Sequence, residues 1–279
     1  MSTLRVLCIG DVIGLTGRMM FQKHIAQIRQ KYTIDAVLVN GENSGSQGRG
    51  ISSRIVKFFK HNGANVVTSG NHIWYNREIY AYLDAHTDLL RPANFPRSTP
   101  GVGVTTFECK GYTIGVINVQ GRIFMREQVD CPFRTVESLL LYLKDKTKII
   151  FIDMHAETTS EKMALAYLCD GKISGLFGTH THIQTADERI LPGGTGYITD
   201  LGMVGSLNSM LGMHKEAIIQ NFLTQMPAKF TVDTGNPVVM SGVWMEVDVT
   251  TGKTIAIERI RIIDNNLEVG THDEDDSKR

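Results

Sequence analysis

Apolar positions along the first 180 residues follow two alternating rhythms. Short β-rich runs fall at Leu4–Ile9, Ala36–Asn40, Val66–Thr68, Val116–Val119 and Ile149–Met154, and one more strand ends at Leu176–Phe177. Between them, apolar residues recur at helical spacing. Thr16–Tyr32 carries Met19, Met20, Ile25 and Ile28, and Ile51–Asn62 carries Ile55, Val56, Phe58 and Phe59. Further helices are predicted at Arg77–His86, Thr135–Lys144 and Ser160–Cys169, the last opened by a capping box, Thr158-x-x-Glu161. This alternation predicts a layered α/β domain.

The final stretch, Val238–Asp264, changes rhythm. It reads as two or more strands whose alternation predicts antiparallel pairing with one wet face. A single domain over residues 1–268, built of mixed sheets flanked by helices, is the expected architecture, with 269–279 a disordered tail. No internal repeat or linker-like tract interrupts it.

Composition narrows the class. The 279 residues are 42% hydrophobic and 21% charged, ordinary for a globular protein, and Lys+Arg 29 balances Asp+Glu 29. With no net charge, any binding to nucleic acid or a membrane surface must be local. No apolar run approaches the roughly 18 residues of a membrane span. Asp11 interrupts the apolar N-terminal stretch, and no small-x-small cleavage site follows it, so no signal peptide is expected. Cys8, Cys109, Cys131 and Cys169 are widely spread and read as free thiols in a cytoplasmic protein.

The chemistry gathers where strands end. Strand one is followed by Gly10-Asp11, strand two by Gly41-Glu42-Asn43 and strand three by Gly70-Asn71-His72. The strand at Ile149 is followed by His155, and the strand at Leu176 by Gly178-Thr179-His180-Thr181-His182. Ligands of open α/β sheets bind beyond the carboxyl ends of strands. Two carboxylates, two amides and four imidazoles therefore aim at one region. That mixture suits a borderline divalent metal, and it exceeds what one ion needs. Two ions about 3.5–4 Å apart, bridged by a carboxylate, would use the whole set.

Taken singly, each residue has a plainer reading. Asp11 reads as a helix N-cap, Glu42-Asn43 as a polar turn, Asn71-His72 as a cap of the Arg77 helix or as hydrogen-bonded core residues, and His155 as a hydrogen-bonded core histidine. Those readings must all coincide at matching strand ends for the site to be absent. His24, His61, His86 and His214 have no such company and read as surface or capping residues. Trp74 either walls the site or packs. Gly45, Gly48 and Gly50 do not have the spacing of a phosphate loop.

In order, these blocks resemble those of calcineurin-like metallophosphoesterases, and more closely the YmdB family of bacterial cyclic-nucleotide phosphodiesterases. The stretches that carry the likeness include G-D-V-I-G at 10–14, N-G-E-N at 40–43, S-G-N-H-I-W at 69–74 and R-P-A-N-F-P at 91–96. They continue with N-V-Q-G-R at 118–122, D-C-P-F at 130–133, H-A-E-T-T-S-E-K at 155–162, G-T-H-T-H-I-Q-T-A-D at 178–187 and T-D-L-G-M at 199–203. The wider superfamily opens with Asp-x-His, whereas Ile13 stands in the place of that His here, and Glu42 replaces its second-block Asp.

The resemblance implies an α/β/β/α metallophosphoesterase sandwich. It implies one metal held by Asp11, Glu42, Asn43 and His182 and a second by Glu42, Asn71, His155 and His180. His72 would stay free to orient phosphate or protonate the leaving group. Fe or Mn is the expected metal pair, with Zn the alternative, and a metal-activated hydroxide the expected nucleophile. The implied substrates are small phosphodiesters, 2′,3′-cyclic nucleotides first. A phosphomonoesterase, a ribonuclease acting on RNA, and a non-catalytic metal-dependent regulatory protein are the alternatives. The likeness also implies a homo-oligomer. Segments 120–133 and 188–215 are Gly-rich or irregular and are expected to form the substrate-selecting rim. Arg122 reads either as a phosphate or ribose contact or as an ordinary surface arginine.

Overall fold

A computed structural model describes residues 2–270, so the C-terminal part of the expected tail, 271–279, lies outside the described residues. In chain order the elements are β1 (Thr3–Ile9), β2 (Asp11–Val12), α1 (Gly14–Tyr32), β3 (Ala36–Asn40), α2 (Ser53–His61), β4 (Val66–Thr68) and α3 (Ile79–Ala85). Then come β5 (Val104–Cys109), β6 (Tyr112–Gln120), α4 (Pro132–Leu143), β7 (Ile149–His155), α5 (Thr159–Cys169) and β8 (Gly175–Thr179). The chain ends with β9 (Arg189–Ile190), β10 (Gly196–Ile198), β11 (Met203–Ser206), α6 (Lys215–Thr224), β12 (Val238–Asp248) and β13 (Thr254–Asp264).

These strands form two mixed sheets. One runs β2-β11-β12-β1-β3-β4, with β13 also paired to β12; the other runs β5-β6-β7-β8-β10-β9. Within the first, β1, β3 and β4 are parallel. Within the second, β6, β7, β8 and β10 are parallel. The parallel strands are near-continuous apolar runs because both of their faces are covered.

Three apolar layers show the order of stacking. Met20, Phe21 and Ile25 of α1 and Ile55 and Phe59 of α2 pack on Leu7, Val37 and Val39 of the first sheet. Alternate residues of the same strands, Val6, Cys8 and Leu38, face Phe151 and Phe177 of the second sheet. Val136 and Leu143 of α4 and Leu165 of α5 cover Ile150, Ile152 and Leu176 on its outer side. The result is the expected α/β/β/α sandwich. Each fully buried Phe, Leu or Ile contributes about 1.5–3 kcal/mol relative to exposure.

Three local expectations change. The strand β12 has no wet face: Met240 and Trp244 enter one apolar layer, and Val243 and Met245 the other. Only β13, paired beside it in the same sheet, turns residues toward solvent. Segment 188–215 is less irregular than its composition implies, since β10 and β11 lie inside the two sheets. The capping box also fails to form. Thr158 occupies the N-cap of α5 without a side-chain cap hydrogen bond. The Glu161 carboxylate instead accepts the backbone N–H of Arg122 at 3.0 Å and of Ile123 at 3.4 Å. Two donors in a neighbouring loop outcompete the one donor a capping box offers.

Candidate metal centre

The carboxyl ends of β1, β3 and β4 in one sheet meet those of β7 and β8 in the other. Asp11 follows β1 and begins β2, which pairs with β11 rather than starting a helix; its N-cap reading is therefore replaced, and Ile13 occupies the N-cap position of α1 without a side-chain cap hydrogen bond. The first helical residue, Gly14, donates its N–H to the Asn43 carbonyl at 2.9 Å, tying the second block to the first. Glu42 and Asn43 leave β3, Asn71 and His72 leave β4, His155 ends β7, and His180 and His182 leave β8.

These side chains converge. Glu42 Oε1 lies 3.1 Å from His155 Nε2. The same nitrogen is 2.9 Å from Asn71 Oδ1 and 3.2 Å from His180 Nδ1. One ligand atom from each of Glu42, His155 and His180 falls within 4.8 Å of the other two, a grouping able to hold a metal ion. Beside it, the Asn43 amide nitrogen is 3.5 Å from Asp11 Oδ1, 3.3 Å from Glu42 Oε1 and 3.1 Å from His182 Nε2. Asp11 Oδ1 is 3.8 Å from His182 Nε2.

The donor chemistry fits a cation. A carboxylate, an amide and imidazoles brought together in one buried place are the oxygen and nitrogen donors that borderline divalent ions take. Thr179 shows how one ligand is prepared. Its hydroxyl donates to Asp153 Oδ1 at 2.7 Å, so it accepts from His155 Nδ1 at 2.9 Å. That fixes the proton of the neutral ring on Nδ1 and frees Nε2. Asp153 is fully buried and is also held by Thr68 and Asn40. Gly70 is required by space: a Cβ there would sit 2.2 Å from His155 Nε2.

Burial and mutual charge set the proton affinities. Burial pushes the Asp11 carboxyl above the usual range. Burial also opposes ionisation of Glu42, but His155 outweighs it and carries the carboxyl down to about 2. Reciprocally, burial disfavours protonated His155, yet Glu42 raises its pKa to about 9. Burial and the neighbouring His155 bring His180 down to about 3. Burial lifts Asp153 to about 6. His72 is lowered by burial, against the pull of Glu42.

His72 stands slightly apart. Its side chain is 32% exposed, so it reaches solvent where Glu42 and His155 do not. Its backbone N–H donates to Glu42 Oε2 at 3.0 Å, and its Nδ1 is 2.8 Å from Asn43 Oδ1. Arg122 is not drawn in: it is exposed, and among the described residues no hydrogen bond or ion pair joins its side chain to the cluster. Trp74 packs edge-on against Tyr80 and Phe95. The other histidines lie elsewhere. His24 pairs with Asp264, His86 stacks on Tyr82, His214 pairs with Asp233 and His61 is exposed.

Sequence reasoning missed the supporting residues. Glu157 Oε2 is 3.0 Å from His180 Nε2, the ring nitrogen remote from the cluster. Arg49, in the Gly45–Gly50 loop, is close enough for its charge to act on His72. Lys162 Nζ and Asp200 Oδ2, both buried, pair at 2.7 Å behind the 180–182 turn, where the Thr181 N–H donates to Asp200; Glu157 and Lys162 stand in the H-A-E-T-T-S-E-K stretch and Asp200 in T-D-L-G-M, so their blocks were visible although their contacts were not.

A two-sheet sandwich with carboxylates, amides and imidazoles gathered at its strand ends defines a phosphoester hydrolase of the metallophosphoesterase class. The comparisons narrow it. A family model described as YmdB-like protein matches residues 7–260, and the chain belongs to that family. It is 44% identical over 264 residues to the 2′,3′-cyclic-nucleotide 2′-phosphodiesterase of Bacillus subtilis (strain 168), covering 95% of this chain and 99% of that protein. A phosphatase from Mycoplasma pneumoniae superposes with a TM-score of 0.89 at 36% identity, covering 95% of each chain. A hypothetical protein from Thermus thermophilus superposes at 0.86 with 38% identity, covering 94% of this chain and 100% of that one.

Proposed function

We propose that this protein is a dinuclear-metal phosphodiesterase that hydrolyses small phosphodiesters, with 2′,3′-cyclic nucleotides its substrates. The carrying observation is that Glu42, His155 and His180 point ligand atoms at one another, with Asp11, Asn43 and His182 gathered beside them, the Asn43 amide touching the same Glu42 oxygen. The activity of the Bacillus subtilis relative supports the substrate class.

Asp11, Glu42, Asn43 and His182 would hold one ion; Glu42, Asn71, His155 and His180 would hold the other, with Glu42 shared. To ligate, Asn43 would present Oδ1 where its amide nitrogen now faces Asp11 and His182. When bound, two such cations lower the pKa of water toward neutrality and offset charge on phosphoryl oxygens. The mixed oxygen and nitrogen donors suit Fe or Mn, and Zn as the alternative.

His72 does the proton work in this reading. Asn43 holds its Nδ1, leaving Nε2 to meet the phosphate or the leaving alkoxide. A cavity of about 430 Å³ adjoins His182, lined in part by Ile183, Met210, Leu211, Arg259 and Arg261. Its apolar and cationic walls suit a nucleotide, and Leu211 O is 3.0 Å from His182 Nδ1. This supports a rim role for segment 188–215. Segment 120–133, with Arg122, forms the other rim.

The protein acts in the cytoplasm, as its free thiols suggest, and no helix among the described residues is long and apolar enough to cross a membrane. It assembles with copies of itself, which would cover the exposed Ile219, Phe222, Leu223 and Met226 of α6 and its exit.

Hydrolysis of 2′,3′-cyclic AMP, p-nitrophenyl diesters, p-nitrophenyl phosphate and short RNA by Mn²⁺-loaded protein tests the reading. Cyclic nucleotide and diester turnover, abolished in Glu42→Gln, is the expected result. Preference for the monoester would make the protein a phosphatase, preference for RNA a ribonuclease, and binding without turnover a regulatory protein.

A further inference from the structure

The turn after β8 is held in a conformation its residues resist. His180 has φ 99° and His182 φ 64°, both in the left-handed region that side chains other than glycine avoid. Something outside the turn must hold it. Lys162, in α5, is fully buried, and its Nζ lies 2.7 Å from Asp200 Oδ2, itself 1% exposed. The lysine stem crosses β8 at Gly178, where a Cβ would stand 2.7 Å from Lys162 Cδ.

Asp200 then reaches the site through backbone donors. Its Oδ2 accepts the N–H of Thr181, between the two histidines, at 3.2 Å. Its Oδ1 accepts the N–H of Gly202 at 2.8 Å. The Gly202 carbonyl accepts the N–H of Asp11 at 3.0 Å. One carboxylate thus governs the backbone that presents Asp11, His180 and His182. A buried ion pair is a poor source of stability, because apolar residues of similar volume generally serve as well.

We propose that Lys162 and Asp200 form a positioning latch. Lys162 neutralises and aims the Asp200 carboxylate, and Asp200 fixes the 180–182 turn and the Asp11 backbone in the geometry that takes up metal. This rests on the metal-centre reading above. Neither residue touches substrate.

The test compares full-length wild type with the double variant Lys162→Met/Asp200→Leu, which replaces the pair by apolar side chains, and with Asp200→Asn. Three quantities are read: thermal unfolding, amide hydrogen exchange at Thr181 and Gly202 in metal-free protein, and Mn²⁺ binding by titration. The double variant is expected to unfold near the wild-type temperature. Its Thr181 and Gly202 amides should exchange about tenfold faster, and Mn²⁺ should bind about 10–100-fold more weakly. Asp200→Asn, which keeps one acceptor oxygen, should fall between the two. Unchanged exchange and Mn²⁺ binding in the double variant overturn the latch and leave the metal centre standing. Failure of both variants to fold also overturns it, since the pair would then serve the fold itself. A wild type that takes up no Mn²⁺ overturns the metal-centre reading and the latch together.

Discussion

Glu42 Oε1 and His155 Nε2 lie 3.1 Å apart, although one follows a strand of the first sheet and the other ends a strand of the second. The contact crosses the interior of the sandwich at the single edge where both sets of parallel strands finish. A carboxylate and an imidazole so placed hold each other ionised without metal, which explains the low proton affinity of Glu42 and the high one of His155. The same two atoms become ligands when a cation displaces the proton.

That exchange has a measurable sign. With its pKa raised to about 9, metal-free His155 carries a proton at neutral pH. His180, lowered to about 3, carries none. Metal uptake at pH 7.5 should therefore release about one proton, and apparent affinity should rise about tenfold per pH unit until pH passes about 9. Calorimetric titration in two buffers of different ionisation enthalpy measures this. Uptake without proton release would show that His155 is neutral beforehand.

His72→Ala should lower kcat for a cyclic nucleotide by about 10²–10⁴-fold with metal content unchanged. Its ring reaches solvent beside the cluster, while its backbone N–H, which supports Glu42, survives the substitution. Kinetics with metal analysis on the same preparation check it. Near-wild-type turnover would remove His72 from the chemistry.

Thr179→Val keeps the shape of the side chain and removes the hydroxyl between Asp153 and His155. Metal affinity should fall about 10–100-fold because the His155 tautomer is no longer fixed. Thr179→Ser should recover most of it. Competition against a metal indicator measures both, and equal affinity in Thr179→Val would show that the hydroxyl has no such role.

The sequence disclosed the strand-end residues because in parallel sheets chemistry follows strand ends, and period and composition mark those ends. It disclosed the α/β order because amphipathic stretches such as α2, which buries Ile55, Val56 and Phe59, carry strong periodicity. The losses are equally specific. β10 is three residues, Gly196–Ile198, too short for a rhythm. β12 alternates like a half-wet strand, yet apolar layers cover both its faces. Glu161 matched a capping box, but its carboxylate was claimed by the loop at 122–123. Thr179, Glu157 and Asp200 act through partners distant in sequence, which spacing along the chain does not reveal.

Anomalous diffraction from Mn²⁺-soaked crystals bears most directly on the proposed centre. Two peaks about 3.5–4 Å apart, one on each side of the Glu42 carboxylate, are the expected result. One peak alone, or peaks remote from Glu42, would contradict it.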